Sequence, residues 1–596
     1  MSQLTPEIRE RALYWSSDPV FDDATRREIK QLLDSNSTKD LDDRFYRDLE
    51  FGTGGLRGIV GAGTSRMNIY NIRKAATALS QYVLATDKSG TPKIAIAYDS
   101  RTHSRMFAEA TAEVFAANGI KTLITKELRP VPMLSYMVRH FSCNAGVCVT
   151  ASHNPPMYNG FKVYWNTGGQ VVQPHDQEII RRYYGITSYG SLKHIPFAEA
   201  LSSGKIQEIG NDFDELYFEK VASLSLSKEG RKNFKIAFTP LHGTAAYPVR
   251  ECLKRYGFTD VHVVPEQEKP DGNFPTVKFP NPEEAEALHM AVELGKKIDA
   301  DIVLGTDPDC DRVGIVVREG KDFVYLNGNQ IGCLMTEFYM MRMKELKKLP
   351  TNPLVVKTIV TTDLQNKIAE YYGAHVDETL TGFKWICQVI DDYETGKLTP
   401  KRNYVCGGEE SYGFLADSFV RDKDGVSACC IAAEMVAHYK AQGLSMMKVL
   451  DKIYRRHGVY QELLTTITLP GKEGAEKIQS MMKLFRETPP KELAGSQVHM
   501  IRDIKTGKEL TLDGGSFKQS RALTLPSSDV LQFFLADGSK VSARPSGTEP
   551  KIKFYVSVRT DVSATISDSD LERIKSQCQQ RTKTIVEQFT KLAASV

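Results

Sequence analysis

KIAIA at residues 93–97, SRMFAEATAEVFAAN at 104–118 and AGVCV at 145–149 decide the class of fold. The first and third are short apolar runs of the kind that strands form when buried on both faces. The middle stretch places Phe107, Thr111, Val114 and Phe115 on one helical face, and Asn118-Gly119 ends it. The alternation continues with KIAFTP from Lys235, VHVVP from Val261, DIVLG from Asp301 and LVVKTI from Leu354. Strands alternating with amphipathic helices predict an α/β fold with mixed or parallel sheets under helical layers. The same kind of unit recurs about three times before residue 455, as a pattern rather than a sequence repeat. Beyond it, ELLTTITL, DVLQFFLA and KIKFYVSV read as strands and a long helix starts at Asp568, which predicts a smaller α+β domain. The expected domains are 1–213, 214–322, 323–455 and 456–596.

Size and charge narrow the function classes. A chain of 596 residues is too long for one hydrophobic core. Its 77 basic and 74 acidic side chains leave a net charge of +3, which gives no electrostatic case for nucleic acid or a membrane surface. A small anionic substrate needs only a few clustered Arg and Lys. The opening MSQLTPEIRERALYW lacks the features of a signal peptide, and no apolar run of about 18 residues occurs. Ten scattered cysteines without a CxxC pair read as buried thiols in a reducing cytoplasm.

Four groups of residues carry chemistry. Thr150-Ala-Ser152-His153-Asn-Pro155 directly follows a strand, at the carboxyl end where α/β sheets bind ligands. Ser152 is thus a candidate ligand-site residue and His153 a candidate proton carrier or hydrogen-bond donor; a plain Asn-Pro turn is the alternative. Gly305-Thr-Asp-Pro-Asp-Cys-Asp-Arg312 also follows a strand. In an extended backbone Asp307, Asp309 and Asp311 point to one side, and three such carboxylates call for a hard cation, Mg²⁺ or Ca²⁺. Arg544-Pro-Ser546-Gly547-Thr548 concentrates donors as a phosphate cradle does, though it also suits a hairpin turn. Glycine-rich turns at 52–58 and 407–413 offer Arg57 to a phosphoryl group and Glu409 and Ser411 to sugar hydroxyls. The stretch Arg421-Asp-Lys423-Asp-Gly425 reads, by composition, as a solvated charged turn.

Taken in this order, TASHNP, GTDPDCDR, GGEESYG and RPSGTEPK resemble the α-D-phosphohexomutase superfamily over about residues 51–558. The resemblance implies three related α/β domains plus a C-terminal domain around a central cleft. Ser152 takes the place of the phosphorylated serine and completes an Mg²⁺ site with Asp307, Asp309 and Asp311. Arg57, His153, Lys162 and Arg312 match positions around the phosphoryl group, and Lys423 matches a lysine proposed as general acid/base. Thr381, Gly382, Glu409 and Ser411 match sugar contacts, while Arg544, Ser546, Gly547 and Thr548 match the loop holding the phosphate that stays in place. Lys357 and Lys553 are assigned to substrate from their surroundings alone. The long N-terminal stretch resembles the phosphoglucomutase and phosphopentomutase branch, and Ser411 favours glucose. The implied activity interconverts glucose 1-phosphate and glucose 6-phosphate through glucose 1,6-bisphosphate. Phosphopentomutase, phosphomannomutase, glucose-1,6-bisphosphate synthase, a serine phosphatase and a non-catalytic scaffold are the alternatives. The expected partner is a small sugar phosphate, bound by a monomer or weak dimer.

Overall fold

The computed structural model describes residues 4–52, 54–469, 471–546 and 551–595. The chain forms two compact units. The first comprises Met1–Asn327, Cys387–Cys406 and Ser411–Ala441, and the second Gly328–Ile386, Gly407–Glu410 and Gln442–Val596.

The first unit holds two mixed sheets. Its strands are β1 (Phe51–Gly52), β2 (Gly55–Ile59), β3 (Lys93–Tyr98), β4 (Lys121–Thr125), β5 (Ala145–Val149), β6 (Tyr158–Trp165) and β7 (Ile206–Ile209), in the order β1-β2-β6-β5-β3-β4-β7. The strands β5, β3, β4 and β7 run parallel, and β6, β2 and β1 are added antiparallel. KIAIA and AGVCV are therefore neighbouring strands, and every residue of β5 is buried, as an apolar run with helices on both faces requires. The helix predicted over 104–118 spans Ser104–Ala117. A second sheet joins β8 (Lys235–Thr239), β9 (Asp260–Val263), β10 (Ile302–Thr306), β11 (Val313–Glu319) and β12 (Asp322–Tyr325) in the order β12-β11-β10-β8-β9.

The N-terminal residues add three helices, Pro6–Ser17, Asp23–Asp34 and Thr38–Phe45. They close over an aromatic cluster in which Trp15 stacks on Phe21 at 4.3 Å and meets Phe45, Tyr70 and Tyr189 edge-on. Asp22 caps the second helix and accepts the Tyr70 hydroxyl at 2.8 Å, tying the extension to the first α/β domain. The helix Gly425–Ala441 is apolar and buried along almost its whole length. Its one buried carboxylate, Glu434, accepts through Oε1 from the backbone of Leu226 and Ser227 and from Arg231, while Oε2 has no hydrogen-bond partner among the described residues.

In the second unit β13 (Pro353–Thr358) and β14 (His375–Thr379) run parallel. The C-terminal sheet is antiparallel, with β17 (Val459–Thr468), β18 (Glu492–Leu493), β19 (Ser496–Asp503), β20 (Lys508–Asp513), β21 (Ser516–Ala522), β22 (Leu531–Leu535), β23 (Lys540–Pro545) and β24 (Lys551–Thr560). Between them, β15 (Asn403–Glu409) runs from the first unit into the second, and β16 (Gly413–Ala416) belongs to the first. The helices Gly471–Glu487 and Asp568–Ala593 cover the C-terminal sheet through Phe485, Phe533, Phe554 and Phe589. This matches the α+β character expected beyond residue 455. No helix among the described residues is long and apolar enough to cross a membrane.

Trp15 is 1 % exposed, so Trp15→Ala should cost about 3–5 kcal/mol of stability, read as a lower midpoint in urea. An unchanged midpoint would show that the helical extension adds nothing to the first domain.

Candidate active site

The site begins at the carboxyl ends of β5 and β10. Ser152 adopts a left-handed backbone (φ 51°), which turns its hydroxyl out of the strand direction. The buried Arg101 holds this turn by donating to the carbonyls of Ser152, Asn154, Pro155 and Tyr158, with Asp99 beside it. Gly160 on the neighbouring strand leaves the space: a Cβ there would stand 2.4 Å from the carbonyl oxygen of Thr150.

The second loop departs from the expected geometry. Residues 307–311 do not form an extended segment that sends alternate side chains to one face. The chain instead turns, with Cys310 left-handed (φ 53°) and its amide donating to the carbonyl of Asp307. This turn, rather than strand alternation, gathers Asp307, Asp309 and Asp311, whose carboxylate oxygens lie within 4.8 Å of one another and are buried. Asp307 is the hub: Oδ1 accepts the amides of Asp311 and Arg312, and Oδ2 accepts the Ser152 hydroxyl at 2.7 Å.

Two lysines face the cluster. Lys162 on β6 reaches Asp309 at 2.7 Å and Asp311 at 3.4 Å, and Lys423 reaches Asp311 at 3.1 Å. Burial alone would raise the Asp311 pKa, but Lys423, Lys162 and Arg312 outweigh it and hold the carboxyl below the usual range. Asp307 goes the other way, pushed up by burial and then by Asp311 and Asp309. Burial would lower Lys162, yet Asp309 and Asp311 raise it, so it stays an ammonium. His153, with Nδ1 3.2 Å from the Ser152 hydroxyl, is held neutral by burial and by Arg312 and Arg57.

The donor set fits a hard divalent cation. It consists of oxygens only, and Asp309 Oδ1 and Asp311 Oδ1 are buried without a hydrogen-bond partner among the described residues. At 4.8 Å, two carboxylates repel by about 3 kcal/mol at an effective dielectric of about 20, so the cluster needs the cations around it.

The other expected residues divide between the units. Arg57, exposed on β2, touches Asn154 of the serine loop at 3.4 Å. Arg312 pairs with Glu283. The 421–425 stretch is not a solvated turn. Arg421, Asp422 and Asp424 are at most 1 % exposed: Arg421 pairs with Asp391 and Glu394, Asp422 accepts the Tyr164 hydroxyl, and Asp424 accepts the Tyr217 hydroxyl through Oδ1. In the second unit Glu409 accepts the Gly382 amide at 2.6 Å, and Glu410 accepts the hydroxyls of Thr358 and Thr361. Thr381 precedes Gly382, whose φ of 112° suits glycine, while Ser411 lies in the turn after β15, in the first unit. Arg544 and Lys553 are paired across β23 and β24 and so share a face, and the Ser546 amide closes on Lys551. Gly547 and Thr548 lie outside the described residues. Lys357 is placed differently from the expectation: it is 0 % exposed and spent on Asp363 at 3.1 Å and Glu378 at 2.9 Å, an internal ion pair rather than a ligand contact. Sequence reading also missed Arg101, Tyr164 and Glu410; only the Asp99-Ser-Arg101 pair at a strand end carried a signal.

A serine hydroxyl beside a buried carboxylate cluster and two lysines is an arrangement suited to phosphoryl transfer. Similarity to known proteins makes the class specific. Residues 48–190, 215–320 and 327–457 match alpha/beta/alpha domains I, II and III of the phosphoglucomutase/phosphomannomutase family. The chain is 35 % identical over 534 residues to a phosphoglucomutase of Staphylococcus epidermidis, covering 89 % of this chain and 95 % of that one. It is also 35 % identical to a phosphoglucomutase of Staphylococcus aureus over 532 residues, 89 % and 93 % of the two chains. The fold is shared with a putative phosphomannomutase of Thermus thermophilus (TM-score 0.64, 22 % identity, 91 % of this chain and 99 % of that one). Parafusin of Paramecium, a phosphoglucomutase in an open form, gives a TM-score of 0.65 at 18 % identity over 91 % and 96 %. The chain belongs to the phosphoglucomutase/phosphomannomutase family of the α-D-phosphohexomutase superfamily, and is a mutase, an intramolecular phosphotransferase.

A hard divalent cation at about a hundred times its Kd should stabilise the protein by about 2.7 kcal/mol, seen as a rise in Tm. Asp309→Asn should remove most of that rise. A wild-type Tm indifferent to Mg²⁺, Mn²⁺ and Ca²⁺ would exclude the metal reading.

Proposed function

We propose that this enzyme interconverts glucose 1-phosphate and glucose 6-phosphate, with Ser152 as the phosphoryl carrier and glucose 1,6-bisphosphate as intermediate and activator. The observation that carries the reading is the Ser152 hydroxyl 2.7 Å from Asp307 at the head of the carboxylate cluster. The curated relatives named above support glucose over other sugars. Asp307, Asp309, Asp311 and the phosphorylated Ser152 would hold Mg²⁺, which would supply positive charge for phosphoryl transfer.

The residues do the rest. The phosphoserine P–O bond breaks as a sugar hydroxyl bonds to phosphorus, and Ser152 Oγ leaves; in the return step Oγ attacks the other phosphate of the bisphosphate. Lys162, held as an ammonium by Asp309 and Asp311, and Arg57 beside the serine loop spread the charge of this transfer. Lys423 and His153 are the candidates for taking the hydroxyl proton, and Lys162, as an ammonium, is a candidate for giving one to the departing oxygen. Arg312 orders the aspartate turn through its amide. Thr381, Gly382, Glu409 and Ser411 are assigned to the sugar hydroxyls. Arg544, Ser546 and Lys553, with Gly547 and Thr548, are assigned to the phosphate that stays in place. Ten free, buried cysteines support a reducing compartment, the cytoplasm.

The test is a coupled assay of glucose 1-phosphate conversion with Mg²⁺ and a trace of glucose 1,6-bisphosphate, beside ribose and mannose 1-phosphates. Glucose 1-phosphate should turn over fastest, EDTA should stop it, and Ser152→Ala should lose about 10⁴-fold or more in kcat. Faster ribose 1-phosphate turnover would overturn the sugar assignment, and an active Ser152→Ala variant the serine mechanism.

A further inference from the structure

We infer that Gly413 and the Asp422–Tyr164 pair are positioning residues that fix where the Lys423 ammonium stands; this rests on the reading of Lys423 as part of the phosphoryl-transfer site. Gly413 opens β16, and its φ is not positive, so the backbone itself does not demand glycine. Space does. A Cβ at this position would stand 2.1 Å from Lys423 Cδ, 2.7 Å from Cγ and 3.5 Å from Cε. The lysine stem therefore lies flat on the bare backbone of the strand, and a single methyl group would lift it away.

The base of the lysine is fixed from the other side. Asp422 Oδ2 accepts the Tyr164 hydroxyl at 2.8 Å and the Gln170 amide at 3.2 Å, while Oδ1 accepts the Lys423 amide at 2.8 Å. The amide of Asp424 closes on the carbonyl of Phe414, and the Asp424 carboxylate takes the Tyr217 hydroxyl at 2.8 Å. Arg421 is spent on Asp391 and Glu394. Asp422 also stands 3.5 Å from the Lys423 ammonium through Oδ1, and Lys423 is the side chain of this stretch directed at the cluster, 3.1 Å from Asp311. Tyr164 and Lys162 lie on the same strand, two residues apart, so β6 both supplies one lysine to the cluster and places the other.

Gly413→Ala changes no charge and no hydrogen-bonding group, which makes it a selective probe. It should lower kcat by about 10- to 100-fold, with KM changed less than about threefold. Lys423→Ala should show at least as large a loss, and the double variant should match Lys423→Ala alone, because the methyl then has no stem to displace. Tyr164→Phe, a milder change, should move kcat in the same direction. A Gly413→Ala kcat within about twofold of wild type, or losses that multiply in the double variant, would overturn the assignment. Acetylation of Lys423 by an amine-reactive acetyl ester, followed by mass spectrometry, gives a readout without turnover. Lys423 should be protected in wild type and labelled faster in Gly413→Ala and Tyr164→Phe; equal labelling would overturn the positioning role. If wild type turns over none of the sugar phosphates, the mutase reading fails, and the labelling still decides whether Gly413 and Tyr164 place the lysine.

Discussion

Three carboxylates buried within 4.8 Å of one another are the constraint around which the first unit is organised. Such a cluster is unfavourable by desolvation and by mutual repulsion, and it persists only where cations and donors surround it. The side chains around it come from distant parts of the sequence, Ser152 after β5, Lys162 on β6 and Lys423 after β16, while the amides of Asp311 and Arg312 come from the same turn. Backbone bonds hold these segments to the same turn. The Val131 amide donates to the Asp309 carbonyl, Gly425 to that of Cys310, and Val313 to that of Tyr412. The loop therefore acts as the joint between the two sheets of the first unit as well as its chemical centre.

The same cluster separates its members. Asp311 is held ionised because two ammonium groups and a guanidinium outweigh burial, whereas Asp307 receives mainly backbone amides and the serine hydroxyl and is pushed up by burial and its neighbours. A divalent cation would change both balances, since its positive charge favours the ionised form of every carboxylate it touches. The polarity of the site is thus a property of the assembled charges rather than of any one residue.

The fold was legible where local physics dominates. Apolar runs such as AGVCV and KIAIA have no stable place except between helical layers, and the apolar stripe of Asp568–Ala593 marks the helix that covers the C-terminal sheet. The grouping of Asp307, Asp309 and Asp311 was legible from their spacing after a buried strand, whereas TASHNP taken alone suited a plain turn as well, and only the structure brings the Ser152 hydroxyl to Asp307. What failed was any reading that needed partners far away in sequence. The RDKDG stretch looked solvated because its charges are dense, and nothing nearby announces Tyr164, Tyr217 or Asp391 as their partners. Lys357 looked available for substrate for the same reason. Its partners, Asp363 and Glu378, become visible only once β13 and β14 are paired in parallel. Alternation of carboxylates along an extended strand reached a correct grouping by the wrong geometry, because a turn with a left-handed Cys310 converges side chains as well as a strand does.

Burial of these ion pairs has a consequence for how the site tolerates change. A charge that is buried and paired adds little net stability, but removing one partner leaves the other uncompensated in a poorly solvated place. Arg101 illustrates this: it touches no reacting group, yet four carbonyls of the serine loop depend on its guanidinium and Asp99 depends on its charge. Losing it would release the left-handed turn at Ser152 and strand an aspartate at once. Residues of this kind define the active site as firmly as those that meet substrate, because they decide whether the serine, the carboxylates and the lysines occupy one place together.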